Sequence, residues 1–184
     1  MKQAVAYRVW RPDDGKLVSP FFPTVWPQST RLEAICLDEP ASFLPGHRPI
    51  AHQQEPTAPP PVANCRCGIY AYHDVARMLG AIHPPLVGGA VLCWGRITIH
   101  PEGIRAQFAR PIALCFPEPW QRADQTQSPL TGVAAGYRIP LLESSYLVSY
   151  AGEFGESYLP AKAPATGARL GSAARRFLRR LIGD

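Results

Sequence analysis

Cys65 and Cys67 stand one residue apart and are followed directly by Gly68. Two thiolates so placed on a turn can point at one metal ion, and a glycine lets the backbone fold around it. Zinc takes four ligands, drawn from cysteine and histidine. Upstream, Cys36, His47 and His52 are the candidates, and a Cys36, His52, Cys65, Cys67 set would clip the long segment between them. Such a clip offsets the entropy of ordering a loop. The spacing matches no standard finger or ribbon, and free cysteine is among the most buried residue types. Buried thiols are therefore the preferred reading, with zinc as the alternative. His73 and Asp74 lie near the pair and would activate a thiol if they met it. Catalytic partners meet in space rather than in sequence, and His73-Asp74 suits a helix start better. Cys93 and Cys115 fall in apolar, β-rich stretches and read as core. The phosphate-cradling loop, the dinucleotide fingerprint, the nucleophile elbow and the His-Glu-x-x-His zinc motif are all absent. No catalytic residue is assigned, and the chain reads as more plausibly a binder than an enzyme.

The elements that must carry these residues are short. Residues 4 to 11 alternate and hold β-branched and aromatic side chains, which predicts a strand. Pro12-Asp13-Asp14-Gly15 is a turn, and Leu17-Val18 can begin a returning strand. Residues 31 to 37 are apolar-rich. From 38 to 64 the chain is irregular and proline-rich, including Pro59-Pro60-Pro61, and reads as a stiff connector. Asp74 is a good N-cap for a helix over 75 to 79 that Gly80 stops. The clearest pattern is a hairpin: residues 90 to 99 and 104 to 114 pair across Pro101-Glu102-Gly103. Val91, Cys93, Ile97 and Ile99 share one face of the first strand, and Ile104, Ala106 and Phe108 one face of the second. Val91, Ile97 and Phe108 are expected to be buried. Pro111 suggests that the second strand is an edge near its end. Residues 117 to 136 read as polar and turn-rich, and 146 to 150 as a strand or the end of a helix starting near Pro140.

The net charge of +5 is concentrated at one end. Arg169 to Asp184 holds five arginines and one aspartate, which leaves only +1 for the rest of the chain. Residues 168 to 182 read as an amphipathic helix. Leu170, Ala174, Phe177, Leu178, Leu181 and Ile182 form one stripe, and Arg175, Arg176, Arg179 and Arg180 cover most of the remainder. Docking on protein is the preferred use of such a helix; an anionic membrane surface and nucleic acid are the rivals. Trp10 between Arg8 and Arg11, and Trp94 with Arg96, could stack on bases. Packed tryptophans with solvated arginines are preferred there, although strict alternation puts Trp10 on the face of Arg8. No stretch is apolar enough to span a bilayer, and the N-terminus lacks a signal-like apolar run. A cytoplasmic protein with reduced cysteines is expected.

Several of these residues occur together in a recognisable combination. Tyr7-Arg8-Val9-Trp10-Arg11, then Cys65-Arg66-Cys67-Gly68-Ile69-Tyr70-Ala71, then Trp94-Gly95-Arg96 with His100, Gly103 and Arg105-Ala106 resemble a family of small bacterial proteins common in actinobacteria. That family has no assigned activity. Its members carry a His-Pro element shortly before the cysteine pair, whereas the stretch from His52 to Cys65 is longer here. The resemblance implies one coherent domain and supplies no substrate. The expected fold is a small α+β domain, residues 1 to 160, rich in β structure, with a central antiparallel hairpin and one short helix. A linker and the basic C-terminal helix follow from 161 to 184. The expected role is a non-catalytic interaction or assembly module. Its partner-binding residues are Leu170, Arg175, Arg176, Phe177, Leu178, Arg179, Arg180 and Leu181, and its partner is another protein or a second copy. The alternatives are a nucleic-acid-associated accessory protein and, behind it, a cysteine- or zinc-dependent enzyme.

Overall fold

A computed structural model describes residues 3–21, 24–35, 59–62, 67–116 and 129–158. In chain order the elements are β1 (Ala4–Asp13), β2 (Lys16–Val18), β3 (Leu32–Glu33), β4 (Ile69–Tyr72), α1 (Val75–Gly80), β5 (Val87–Ile99), β6 (Gly103–Phe116), α2 (Pro129–Tyr137), β7 (Leu141–Glu143), α3 (Ser144–Gly152) and β8 (Glu156–Ser157). The domain is α+β and dominated by one sheet. Three helices are described where one was expected in this part of the chain.

The sheet closes on itself. β1 pairs with β5, β5 with β6, β6 with β4, and β4 returns to β1, all antiparallel. A ring of four strands encloses little room. The residues facing inward are accordingly small: Ala4, Ala6, Ala71, Ala106 and Ala109, with Val91, Cys93, Ile69 and Ile104 among them. The seam between β1 and β4 is the thinnest part of the ring, a single pair of Tyr7 with Tyr72. Arg8 reinforces it, its Nη1 donating to the carbonyl of Tyr70. β2 and β3 extend the sheet from β1 and β6, and β7 and β8 add parallel pairs to the same two strands.

Helices cover what the ring leaves open. Leu130, Val133, Ala134 and Tyr137 of α2 join the inner core beside Trp10, Leu17 and Trp26. The hydroxyl of Tyr137 donates to the carbonyl of Trp26 at 2.6 Å and accepts from the Leu17 amide at 2.9 Å. On the outside, Met78 of α1 and Leu147 and Ala151 of α3 cover Val5, Tyr7, Val9, Leu92, Ile112 and Cys115. Asp74 caps α1 by accepting from the Ala76 amide at 2.9 Å. Residues 146–150 belong to helix α3, so the strand reading there is replaced. Within the stretch read as turn-rich, residues 129–136 lie in α2.

The hairpin is present, with two irregularities. Between the pairs Trp94–Phe108 and Ile97–Ala106, β5 carries one residue more than β6. Gly95, at φ +80°, absorbs it, as bulges of this kind require. The bulge turns Phe108 to the outer side, where it meets Trp94 with ring centroids 6.0 Å apart. Val91 is buried as expected, but Ile97 and Phe108 are only half-buried. The second irregularity corrects the reading of Pro111. β6 is a central strand, flanked by β5 and by β4, β3 and β7. Pro111 sits at the register shift where Ile112 is inserted, and a bulge lets an interior strand tolerate a missing N–H. Close strand packing also explains Gly89: a Cβ there would lie 2.1 Å from the carbonyl oxygen of Ala113.

Candidate functional site

The polar side chains that converge in this fold gather at the tip of the β5–β6 hairpin. β6 brings Arg105 out of the turn, opposite Thr98 on β5 and Tyr70 on β4. Arg105 is 5% exposed. Its Nε donates to Nε2 of His100 at 2.7 Å, and its Nη1 donates to the carbonyl of Cys67 at 3.3 Å. The guanidinium carbon lies 6.0 Å from the centre of the half-exposed Tyr70 ring. Gly68 covers it with φ +122°, and a Cβ on that residue would approach Cβ of Arg105 to 3.0 Å and Cβ of Pro61 to 3.2 Å. Here the glycine after the cysteines is required by close approach to an arginine.

His73, itself buried, closes the group. Its Nε2 lies 2.7 Å from the carbonyl oxygen of His100, and Ser157 Oγ donates to the carbonyl of His73 at 3.2 Å. A carbonyl only accepts, so Nε2 of His73 carries its proton. Nε2 of His100 accepts from Arg105, so the neutral imidazole of His100 carries its proton on Nδ1. Burial, then the charge of Arg105, then His73 hold His100 below the usual histidine value. The ring is thus a neutral group whose Nε2 lone pair is already engaged. Such a ring positions and donates; it does not take a proton at Nε2 without breaking its bond to Arg105. Arg77 and Glu102 form an ion pair at 3.1 Å alongside.

This arrangement sets a pH dependence. A histidine whose folded pKa is depressed binds its proton more readily when unfolded, so stability is unaffected above the ordinary value of 6.5 and falls as pH drops through it. The loss levels off below the folded pKa. His100→Gln keeps an acceptor for Arg105 and removes the titration. Urea midpoints at pH 7 and pH 5 should therefore drop less in His100→Gln than in the parent. Equal drops would show that His100 is not held neutral.

Of the residues singled out in the sequence, Cys67, Gly68 and His73 lie in this group. Cys67 is buried, and its Sγ accepts from the Val62 amide at 3.4 Å. Cys36, His52 and Cys65 lie outside the described residues, as do Leu170, Arg175, Arg176, Phe177, Leu178, Arg179, Arg180 and Leu181. Among the described residues no three His, Cys, Asp or Glu side chains are grouped as metal ligands. Cys93 and Cys115 are core residues, and burial pushes each thiol up to about 12. The Arg105–His100 pair was not singled out as a site, although its signal was available: two polar residues bracket a tight turn, within side-chain reach of each other. Among the described residues no helix is long and apolar enough to cross a membrane. A scan against protein-family models finds no match, and searches of curated proteins and of solved structures find no similar protein.

Proposed function

We propose that this chain is a non-catalytic interaction module: a small closed barrel that offers its basic, amphipathic C-terminal segment to a protein partner or to a second copy of itself. One observation carries the reading. Inside and outside the ring, the described residues from Ala4 to Tyr158 already build two apolar cores, each with its helical cover. The stripe of Leu170, Phe177, Leu178 and Leu181 then has a partner surface as its natural destination. Left in water, four such side chains would each forgo roughly 1.5–3 kcal/mol. The state of the reactive groups supports the same reading, since Cys93, Cys115, His73 and His100 are engaged in packing or hydrogen bonding.

A nucleic-acid-associated role is the second reading, favoured by one surface. The Arg31 guanidinium carbon lies 4.3 Å over the Phe108 ring beside Trp94, and Arg96 and Arg110 are exposed on the same hairpin. Salt separates the two, because phosphate contacts weaken steeply with ionic strength whereas apolar docking does not. Removing residues 169–184 is expected to abolish self-association or partner capture in sedimentation and pull-down assays, with the barrel's melting unchanged. Phe177→Asp should reproduce the deletion. If instead Phe177→Asp is silent while neutralising Arg175, Arg176, Arg179 and Arg180 abolishes a salt-sensitive association, docking is wrong and the polyanion reading replaces it.

A further inference from the structure

The outer face of β5 and β6 carries a half-buried aromatic pair. Trp94 and Phe108 are partners in register, and the next pair along this face is Leu92 with Arg110, of which Leu92 belongs to the outer core. Phe108 reaches this face because the alternation of β6 is broken between Ala106 and Ala109, both in the inner core, opposite the bulge at Gly95. The glycine is needed there. A Cβ on it would lie 2.8 Å from Cδ2 of Phe108 and 2.8 Å from Oε1 of Gln107. The two rings are 6.0 Å apart and inclined at 32°. Bulges re-aim side chains in this way and are over-represented beside functional sites.

Exposed arginines surround the pair. Arg31, just before β3, sets its guanidinium carbon 4.3 Å from the centre of the Phe108 ring. Arg110 lies two residues further along β6, and Arg96 follows Gly95 in the bulge, its amide donating to Gln107 Oε1 at 3.2 Å. Among the described residues, Arg31, Arg96 and Arg110 make no ion pair. The one carboxylate carried by β3, β5 and β6 is that of Glu33, exposed and in register with Phe108. The face is therefore cationic and also offers flat π surfaces. An acidic peptide would satisfy the arginines and leave the rings idle. A duplex would do the same, because its bases are already stacked on one another. An unpaired strand brings phosphates for the arginines and free bases for the rings and for the Arg31 guanidinium.

We propose that this face binds single-stranded nucleic acid, with a base stacked at Phe108, Trp94 and Arg31 and with Arg96 and Arg110 on the adjoining phosphates. The site rests on the nucleic-acid reading above, but the barrel carries it and the C-terminal segment does not. Labelled oligodeoxythymidine, labelled oligouridine and a duplex of the same length, each titrated with the full chain and read by anisotropy, test it. At least one single strand should bind more tightly than the duplex. Phe108→Leu keeps an apolar side chain of similar size without the π face, and should weaken that binding about tenfold, the cost of one stacked base. Arg96→Gln combined with Arg110→Gln should reduce the slope of log affinity against log salt by about two, one for each phosphate contact. Both arginines are exposed, so this variant decides the matter if Phe108→Leu does not fold. Neutralising Arg175, Arg176, Arg179 and Arg180 should leave the preference for a single strand in place. Equal affinity for the duplex, or a salt slope unchanged by the Arg96 and Arg110 substitutions, overturns the proposal. Binding that vanishes when the C-terminal arginines are neutralised also overturns it, in favour of a polyanion contact by that segment. If no strand binds, this face is not a nucleic-acid site, while docking of the C-terminal segment on protein stands or falls separately by Phe177→Asp.

Discussion

Trp10→Ala is expected to lower the stability of the barrel by about 3–5 kcal/mol, the usual cost of truncating a large buried aromatic. Trp10 has no exposed surface and packs edge to face against Trp26. It also faces Leu17 and the α2 residues within the same inner core. Trp26, Leu17 and the α2 side chains around it are packed in the same core, so one of them can fill the gap only by leaving its own place. Collapse would instead have to move α2, which Tyr137 ties to Trp26 and Leu17 through its hydroxyl. Trp10→Phe should cost clearly less, since it keeps an aromatic ring in the same place. Urea denaturation of the three proteins, at one pH and salt, measures the series. A Trp10→Ala loss below about 1 kcal/mol would mean that this end of the barrel is not closed by Trp10, since substitutions of that size are ordinary at surfaces.

The second large effect lies at alkaline pH. Cys93 in the inner core and Cys115 in the outer core both have thiols pushed by burial from an ordinary 9.0 up to about 12. The folded chain keeps these two protons while the unfolded chain releases them. Stability is therefore fully present below pH 9 and falls above it, by about 1.4 kcal/mol per pH unit for each thiol. At pH 10 the combined loss is roughly 3 kcal/mol. Arg8, whose folded pKa is lowered to about 10, acts in the opposite sense, and only above that pH. Unfolding midpoints at pH 8, 9 and 10 should show the decline, and Cys115→Ala should remove about half of it. Fast reaction of both thiols with a soluble disulfide reagent at pH 9, without unfolding, would contradict the burial from which this decline follows.

Much of the β-structure was legible because it is local. The β1 alternation, the turn at Asp14 and Gly15, the Asp74 cap and the β5–β6 hairpin all declare themselves within a dozen residues. What could not be read is what depends on residues far apart. Closure of the ring pairs Ala4 with Cys93 and Tyr7 with Tyr72, and no local pattern specifies such partners. α2 was missed for a different reason. Gly132 and Gly136 dilute its helical propensity, and the spacing of Leu130, Val133, Ala134 and Tyr137 is helical only when weighed by what it packs against. Phe108 went to the wrong face because the alternation of β6 is broken between Ala106 and Ala109, both in the inner core, opposite the bulge at Gly95. The burial of Arg105 was not read at all, because it is a property of the closed ring.

The seam between β1 and β4 has a consequence for how the chain is made. β1 is made before the other described elements, and only its last three residues find partners nearby, in β2. Residues 4–10 have to wait for residues 87–93 before their main ladder can form, and the parallel pairs to residues 156 and 157 come later still. Pairings this distant in sequence form slowly. Until then residues 4–10 are an apolar strand with open edges, the kind of segment that pairs with whatever strand it meets. The single Tyr7–Tyr72 pair is the place where the ring is easiest to undo.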